Sequence, residues 1–330
     1  MRSIVDNKTI MTGLAALAIS MLSTASFAQD KVELIYSDTV AESDIRSELL
    51  RTEFGGCLGD GFDFKPYFGA TLFKQGTELT AMQRGNLDMA GLAIYDFQNQ
   101  VPATGILGAA YLYRDYDHLR AVTHSDVLNE LWGEVESATG VKVLANPYIG
   151  TRHVNLRGDK KIMTPEDMAG VKLRMPGGEG WQFVGEALGA NPTPMAFTEV
   201  YTGLQTGAID GQDNPLPADK SMKFYEVTDQ IVLTGHLIAN NQFSISMSKW
   251  DSMNAEQQGK VQECAFNFEA ALDKETLAQE AVLVDFFKGE GLDVYEPNKT
   301  AFRDHVLEMY VNSDFSKDWP AGLLDKINAL

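Results

Sequence analysis

The segment GVKLRMPGGEGWQFVGEALGANPTPMAFTEVYTGLQTGAIDGQDNPLPADKSMKFYEVTDQIVLTGH covers residues 170–236 and contains a strand that ends in a turn. The apolar strand with Val171 and Leu173 ends at Arg174 and is followed by Met-Pro-Gly-Gly. Such a turn places the last side chain at the carboxyl edge of a sheet, where open α/β sheets bind small ligands. Because the planar guanidinium of arginine fits a carboxylate well, Arg174 is predicted to bind a small acid.

A second polar residue at a predicted strand end is Asn214, which lies between Asp213 and Pro215. An amide at this place can contact the same ligand as Arg174. Asparagine before proline is also a common turn residue, and this structural interpretation remains the alternative.

Strands and helices alternate on both sides of this segment, which is typical of an α/β fold. Strands are predicted at 32–37, 62–67, 88–94, 141–145 and 242–247, and one long amphipathic helix at 117–139. The helical pattern at 254–287 corresponds to about 50 Å, which exceeds one lobe. We therefore predict two lobes joined by strand crossovers and a lobe-spanning helix, with residues 29–149 plus 239–279 in the N-terminal lobe and 150–238 plus 280–330 in the C-terminal lobe.

The first 28 residues have the pattern of a secretory signal peptide. Arg2 and Lys8 precede an apolar stretch from Ile10 to Leu22, and Ser26-Phe27-Ala28 fits a signal-peptidase site. The apolar stretch is too short to span a bilayer. We expect the peptide to be removed and the rest of the chain to be exported without membrane insertion.

Charge and motifs exclude several function classes. The formal net charge is −19, which disfavours binding to nucleic acid or to an anionic membrane surface. Motifs of zinc hydrolases, serine hydrolases, P-loop enzymes and dinucleotide-binding enzymes are absent from the sequence, and the five histidines lack metal-ligand spacing. We expect a monomeric protein that is not an enzyme and has no cofactor and no metal.

The two cysteines, Cys57 and Cys264, do not form a CxxC motif. An oxidising compartment permits a disulfide, but the sequence does not establish their separation. The helical neighbours of Cys264 favour a buried, small apolar residue there, and the pairing is left open.

Several motifs in this chain resemble the substrate-binding proteins of tripartite ATP-independent periplasmic (TRAP) transporters, the DctP-type family. They are GVKLRMP, LGANPTPMAFTEVYTGLQTGAIDGQDNP, KFYEV, LTGH and, nearer the N-terminus, TLFKQGTELTAMQRGNLDMA. The resemblance extends over the mature chain and implies a two-lobe periplasmic binding protein fold. It also implies a periplasmic protein that captures an organic acid and delivers it to TRAP membrane subunits.

The resemblance further implies a set of ligand-binding residues. Arg174 would hold the ligand carboxylate, assisted by Arg152 and Asn214. The remaining residues of the implied site are Phe197, which would pack on the ligand, Asn241, Asp38, Gln75 and Tyr95. For Arg152 the alternative is a solvated basic stretch with Lys160 and Lys161, and for Phe197 it is a place in the hydrophobic core.

The nature of these residues favours a hydroxylated ligand. Asp38, Gln75 and Asn241 suit hydroxyl groups. The segments of the N-terminal lobe that are predicted to line the ligand cleft between the lobes offer no cation for a second carboxylate. We therefore expect a sugar acid such as a hexuronate or an aldonate, with a C4-dicarboxylate or sialic acid as alternatives. From other classes, a ligand sensor remains open, as does a carbohydrate-acid enzyme that uses carboxylates among Asp88, Asp210 and Asp213.

Overall fold

Two β-sheets with surrounding helices make up residues 31–330, which the computed structural model describes. The predicted signal peptide lies outside the described residues. The strands are β1 (Val32–Ser37), β2 (Phe62–Tyr67), β3 (Met89–Leu92), β4 (Val141–Ala145), β5 (Tyr148–Leu156), β6 (Lys172–Met175), β7 (Asn191–Pro194), β8 (Gly211–Pro215), β9 (Gln230–Asn240), β10 (Gln242–Ser246) and β11 (Asp293–Tyr295). The α-helices are α1 (Ile45–Leu49), α2 (Gly56–Leu58), α3 (Glu78–Gln83), α4 (Ile94–Gln98), α5 (Tyr116–Thr123), α6 (Asn129–Thr139), α7 (Glu179–Ala187), α8 (Val200–Thr206), α9 (Leu216–Ser221), α10 (Met247–Ser252), α11 (Ala255–Gly289), α12 (Lys299–Asn312) and α13 (Leu323–Asn328).

Each sheet is mixed and forms the centre of one lobe. The first sheet has the order β2-β1-β3-β10-β4, in which β10 runs antiparallel to both neighbours. The second has the order β11-β9-β5-β8-β6-β7, in which β6 runs parallel to β7 and β8. The predicted fold class, a two-lobe α/β protein, is confirmed. We call the lobes around these sheets the first and the second lobe.

Two strand crossovers and one helix join the lobes. The chain passes from β4 in the first sheet to β5 in the second, and returns from β9 to β10. The 35-residue helix α11 contributes Val261 and Phe268 to the core of the first lobe, and Leu283 and Phe287 to a cluster with strand β9 in the second. Helix α11 therefore spans both lobes, as predicted. The residues at which the lobes divide remain a prediction.

A disulfide between Cys57 and Cys264 fixes the first half of α11 to the first lobe, with a Cα–Cα distance of 5.6 Å. The sequence left this pairing open and favoured a buried, unpaired Cys264. Cys264 is buried, but it is bonded to Cys57, which lies 207 residues away in the chain.

Two of the differences between the structure and the sequence-based elements have a clear physical reason. The single helix predicted at 117–139 is wrong: α5 ends at Thr123, and the side chain of Ser125 caps a 3-10 turn at Asp126–Leu128 before α6 begins. Serine favours such caps because its hydroxyl accepts a backbone N–H. Strand β5 was not predicted, because its buried residues include Arg152 and Asn155, which interrupt the apolar pattern.

Candidate functional site

A cavity of about 370 Å³ is lined by residues of both lobes. All eight residues that the sequence analysis singled out line it. They are Asp38, Gln75, Tyr95, Arg152, Arg174, Phe197, Asn214 and Asn241. The cavity also meets the carboxyl ends of β6 and β8, as expected for ligand sites of α/β sheets.

Arg174 is the most deeply buried cation of this cavity. It lies one residue before the end of β6, and the side chain is 1% exposed. Within residues 31–330 both of its hydrogen bonds go to neutral oxygen atoms: Nε donates to the Met195 carbonyl at 2.8 Å and Nη2 to Gln75 Oε1 at 3.0 Å. Burial lowers the pKa of Arg174 to about 9, although the nearby Asp213 raises it. The guanidinium therefore stays charged at neutral pH without a carboxylate bonded to it.

Gln75 connects the two lobes at this point. Its side-chain carbonyl oxygen accepts hydrogen bonds from Arg174 and, at 2.9 Å, from the backbone N–H of Phe197. Gln75 precedes helix α3 of the first lobe, whereas both donors belong to the second lobe. One first-lobe amide thus occupies an acceptor position in front of the second-lobe arginine.

Arg152 has the opposite environment. Its Nε donates to Asp213 Oδ2 at 2.7 Å and its Nη2 to Asp213 Oδ1 at 3.0 Å, so the carboxylate is bound at both oxygens. His236 Nε2 lies 3.1 Å from the same Oδ2. Burial alone would raise the pKa of Asp213, but the charge of Arg152 and the hydrogen bond with His236 hold that pKa well below its usual range. Much of the charge of Arg152 is therefore compensated within the protein.

Two aromatic side chains lie beside the arginines. The guanidinium of Arg152 is 4.8 Å from the centre of the Trp181 ring, and that of Arg174 is 5.8 Å from the Phe197 ring. Phe197 also packs edge-on against Phe224 in a small cluster of the second lobe. Phe197 is thus a core residue that presents part of its ring to the cavity.

Asn214 belongs to a buried polar network. Its Nδ2 donates to Gln212 Oε1, and Gln212 Nε2 donates to Asp219 at 2.8 Å and to Asn155 at 3.1 Å. This network fixes the orientation of Asn214 at the end of β8, facing the cavity.

Asp38 and Asn241 form one corner of the first-lobe side. Asp38 follows strand β1 and accepts hydrogen bonds from the Tyr36 hydroxyl at 2.6 Å and the Thr39 amide at 2.6 Å. Gly91 lies beside both residues: a Cβ there would be 3.4 Å from Asp38 Oδ2 and from Asn241 Nδ2, and 3.1 Å from the Tyr36 hydroxyl. Because Gly91 has no side chain, the side chains of Asp38 and Asn241 can lie close to strand β3.

Tyr95 contributes a contact between the lobes. Its hydroxyl donates to the Gly108 carbonyl, and its ring packs edge-on against Trp181 with 5.0 Å between ring centres. Gly180 allows this approach, because a Cβ at that position would lie 2.2 Å from the Tyr95 ring.

Among the charged residues that line the cavity, sequence reasoning missed Arg46 and Glu78. The expectation that the first lobe offers no cation is wrong, because Arg46 extends to the cavity from helix α1. Its Nε and Nη2 each lie 2.9 Å from an oxygen of Asp44, so this guanidinium is already paired. Both residues lie in helices whose sequence pattern assigns them to the solvent-exposed face, and only the packing of the helices brings them to the cavity.

Comparison with known proteins identifies the family. Residues 49–317 match the DctP family model, described as bacterial extracellular solute-binding protein, family 7. The chain belongs to this family of TRAP solute-binding proteins. Its members are periplasmic proteins that bind organic acids, work with membrane subunits and are not enzymes. No helix in residues 31–330 is long and apolar enough to cross a membrane.

Individual members of the family resemble this chain over most of its length. A solved TRAP solute-binding protein from Roseobacter denitrificans with bound 3-deoxy-D-manno-oct-2-ulosonic acid (KDO) is 44% identical, with a TM-score of 0.89 and coverage of 91% of this chain and 99% of that chain. The sialic acid-binding periplasmic protein SiaP of Vibrio cholerae is 32% identical over 80% of this chain and 81% of its own length. The 2,3-diketo-L-gulonate-binding periplasmic protein YiaO of Escherichia coli is 29% identical over 96% of both chains.

Proposed function

We propose that this TRAP solute-binding protein captures a hydroxylated sugar acid, such as a hexuronate, an aldonate or a related ulosonate, by closing its lobes around an arginine–carboxylate clamp. It delivers the acid to the membrane subunits of a TRAP transporter. Residues 1–28 act as a cleaved signal peptide for export to the periplasm, and the mature protein is a monomer.

The observation that carries this proposal is the environment of Arg174. A buried guanidinium bonded only to neutral oxygens is stabilised by a ligand carboxylate, because charge-assisted hydrogen bonds contribute about 1.5–3 kcal/mol each. Asn214 lines the same cavity, and Arg152, although paired with Asp213, adds positive potential beside it.

Lobe closure follows from where the contacts lie. A ligand held by Arg174 in the second lobe and by Asp38, Gln75, Tyr95 or Asn241 in the first contacts both lobes only when they are close together. Such a ligand shifts the equilibrium towards the closed state by its differential affinity. The hydrogen bond between Gln75 and Arg174 marks the place where the ligand carboxylate competes with the protein's own amide.

The relatives' ligands and the charges of the first lobe both favour sugar acids. The R. denitrificans relative has KDO bound, and the names of two further relatives specify sialic acid and 2,3-diketo-L-gulonate. In this chain the first-lobe cation, Arg46, is paired with Asp44 and lies near Asp38. A second ligand carboxylate on that side would find no free cation among the described residues that line the cavity.

Thermal unfolding of the protein purified from the periplasm tests the proposal. The ligands are KDO, uronates, aldonates, sialic acid, C4-dicarboxylates and aromatic acids. A ligand at 100 times its Kd adds about 2.7 kcal/mol, which corresponds to several degrees in Tm at about 2–4 °C per kcal/mol. A shift with sugar acids alone supports the proposal, and a larger shift with succinate or malate refutes the sugar-acid assignment.

Two further experiments distinguish the other function classes from a transport protein. A carbohydrate-acid enzyme converts KDO or an aldonate into a product that mass spectrometry detects, whereas a binding protein returns it unchanged. A ligand sensor without a transport role leaves uptake of the acid intact when its gene is deleted, whereas the proposed function predicts that uptake is lost.

A further inference from the structure

Three carboxyl groups of the first lobe line the cavity. They belong to Asp38 after strand β1, Glu78 at the start of α3 and Asp96 in α4, and we call them the acid wall. Asp38 and Glu78 are buried, whereas Asp96 is half-buried. Asp38 was expected at the site from the sequence, whereas Glu78 was not.

The three carboxyl groups differ in what surrounds them. Asp38 accepts hydrogen bonds from Tyr36, Thr39 and Val40 and lies near the charge of Arg46. The Oδ2 of Asp96 accepts the Ala93 amide at 2.8 Å. Glu78 is 6% exposed and forms no salt bridge within residues 31–330, and the groups that favour its charge are the backbone amides of Gly76 and of Glu78 itself.

Glu78 therefore holds a proton at neutral pH. Burial is the main effect that raises the pKa of Glu78, and the neighbouring charges of Asp96 and Asp38 raise it further. The two backbone amides lower it, and the resulting pKa is about 8. Burial raises the pKa of Asp96 to about 6, opposed by the Ala93 amide. At pH 7 the acid wall thus offers an O–H donor from Glu78 and an acceptor carboxylate from Asp96.

The acid wall and Arg174 have different neighbouring charges. The main charge effects on Glu78 come from Asp96 and Asp38, whereas those on Arg174 come from Asp213 and Arg152. Arg46 lies near Asp38, but its guanidinium is paired with Asp44. Because Arg174 and the acid wall line the same cavity, a ligand whose carboxylate lies at Arg174 can extend its other end towards the acid wall. A hydroxyl group there can donate to the carboxylate of Asp96 or Asp38 and accept from Glu78. A second carboxylate can accept from Glu78, but it cannot donate and is repelled by the charges of Asp96 and Asp38.

We propose that Glu78 is a specificity-determining residue that, together with Asp38 and Asp96, selects acids whose far end carries hydroxyl groups and rejects acids with a second carboxylate there. The inference rests on the proposed function and deepens it. It assigns the choice of ligand to a first-lobe residue that takes no part in the arginine clamp.

Calorimetric titration tests the role of Glu78 with KDO, galactonate, galactarate and succinate as probes. Galactonate and galactarate differ only in the last carbon, which is a hydroxymethyl group in the first and a carboxylate in the second. The wild type is expected to bind KDO or galactonate and to discriminate against galactarate and succinate by at least about tenfold. Tighter binding of galactarate or succinate overturns the inference and leaves acid binding in place. No binding of any acid refutes the proposed function itself.

Variants of Glu78 separate its hydrogen bonding from its charge. Glu78→Gln keeps a donor and an acceptor and should stay within about threefold of the wild type at pH 7. Glu78→Leu loses both and should bind the preferred acid about five- to tenfold more weakly, since a typical hydrogen bond contributes that factor. Unchanged affinity in Glu78→Leu contradicts the inference. Thermal unfolding verifies that each variant is folded, and Glu308→Gln, an exposed change on α12, is the matched control.

The pH profile gives a second readout. If the ligand requires the protonated Glu78, wild-type affinity falls about tenfold between pH 7 and pH 9, because the protonated fraction falls by that factor around a pKa of about 8. Arg174 also titrates towards alkaline pH, so the comparison is with Glu78→Gln, in which Arg174 is unchanged. A smaller fall in affinity between pH 7 and pH 9 in Glu78→Gln than in the wild type supports the inference, and an identical pH profile in both proteins overturns it.

Discussion

Arg174 and Arg152 line one cavity, lie in one lobe and are both almost completely buried, yet their environments are opposite. Arg152 is bound at both oxygens of Asp213, which also lies beside His236. Arg174 is bonded to a backbone carbonyl and to the amide of Gln75. A buried charge that is paired with an opposite charge of the same protein contributes to stability. A buried charge that is hydrogen-bonded only to neutral oxygens is available to bind a ligand. The two arginines should therefore differ in which property their removal damages.

Arg174→Ala should cause the largest loss of ligand affinity. Removal of one partner of a buried charge pair costs about 3–5 kcal/mol, which is at least about a hundredfold in Kd for KDO or the preferred acid. Calorimetric titration measures this loss. Arg174→Lys keeps a charge but not the planar fork, so an intermediate affinity is expected. Affinity of Arg174→Ala within fivefold of the wild type would remove the arginine clamp from the proposed function.

Arg152→Ala should instead damage stability. It leaves the carboxylate of Asp213 buried without its main partner, which costs about 3–5 kcal/mol of unfolding free energy. Chemical denaturation of the ligand-free protein measures this cost, and Arg174→Ala should show a much smaller one. If the two variants are equally destabilised, the contrast between a structural and a ligand-binding arginine is wrong.

The stability contributed by Arg152 should also depend on pH. The folded protein holds the pKa of Asp213 below its unfolded value of about 3.9, so this stabilisation is fully present above pH 4 and is lost as pH falls through the lowered pKa. The difference in stability between the wild type and Arg152→Ala should therefore be larger at pH 7 than at pH 3. A difference that grows in acid contradicts this assignment.

Removal of the disulfide should reduce stability and leave binding unchanged. Cys57 and Cys264 lie in the first lobe and do not line the cavity. Loss of a native disulfide typically costs about 2–4 kcal/mol. The double variant Cys57→Ser/Cys264→Ser should thus unfold at lower temperature but bind the preferred acid with wild-type affinity. A parallel loss of affinity would mean that the rigidity of α11 contributes to ligand binding as well.

The sequence predicts residues at strand ends better than residues whose helices pack onto the site. Arg174 and Asn214 were recognisable because a turn or a proline follows each of them, and because the surrounding motifs resemble a known family. Arg46 and Glu78 were not, since a charged residue in the first turns of a helix is ordinarily a surface residue. The disulfide was not predictable for a related reason: its cysteines are 207 residues apart and meet only when α11 packs on the first lobe.

The smallest effect is expected on the first-lobe side of the cavity, at Gly91 in β3. A Cβ at 3.1 Å from the Tyr36 hydroxyl is closer than ordinary contact, so Gly91→Ala must displace Tyr36, Asp38 or Asn241 by a few tenths of an ångström. We expect affinity for the preferred acid to fall by about five- to tenfold, equivalent to the loss of one hydrogen bond.

Gly133→Ala in helix α6 is the matched control for Gly91→Ala, because a Cβ at Gly133 meets no atom within 4 Å. It should stabilise the protein by about 0.5–1 kcal/mol, as alanine does in helices, without changing affinity. If Gly91→Ala binds as tightly as Gly133→Ala, then Asp38 and Asn241 do not contact the ligand, and any discrimination by the first lobe rests on Glu78 and Asp96. A loss confined to Gly91→Ala, and smaller than that of Arg174→Ala, means that the arginine supplies most of the affinity and the first lobe supplies the discrimination.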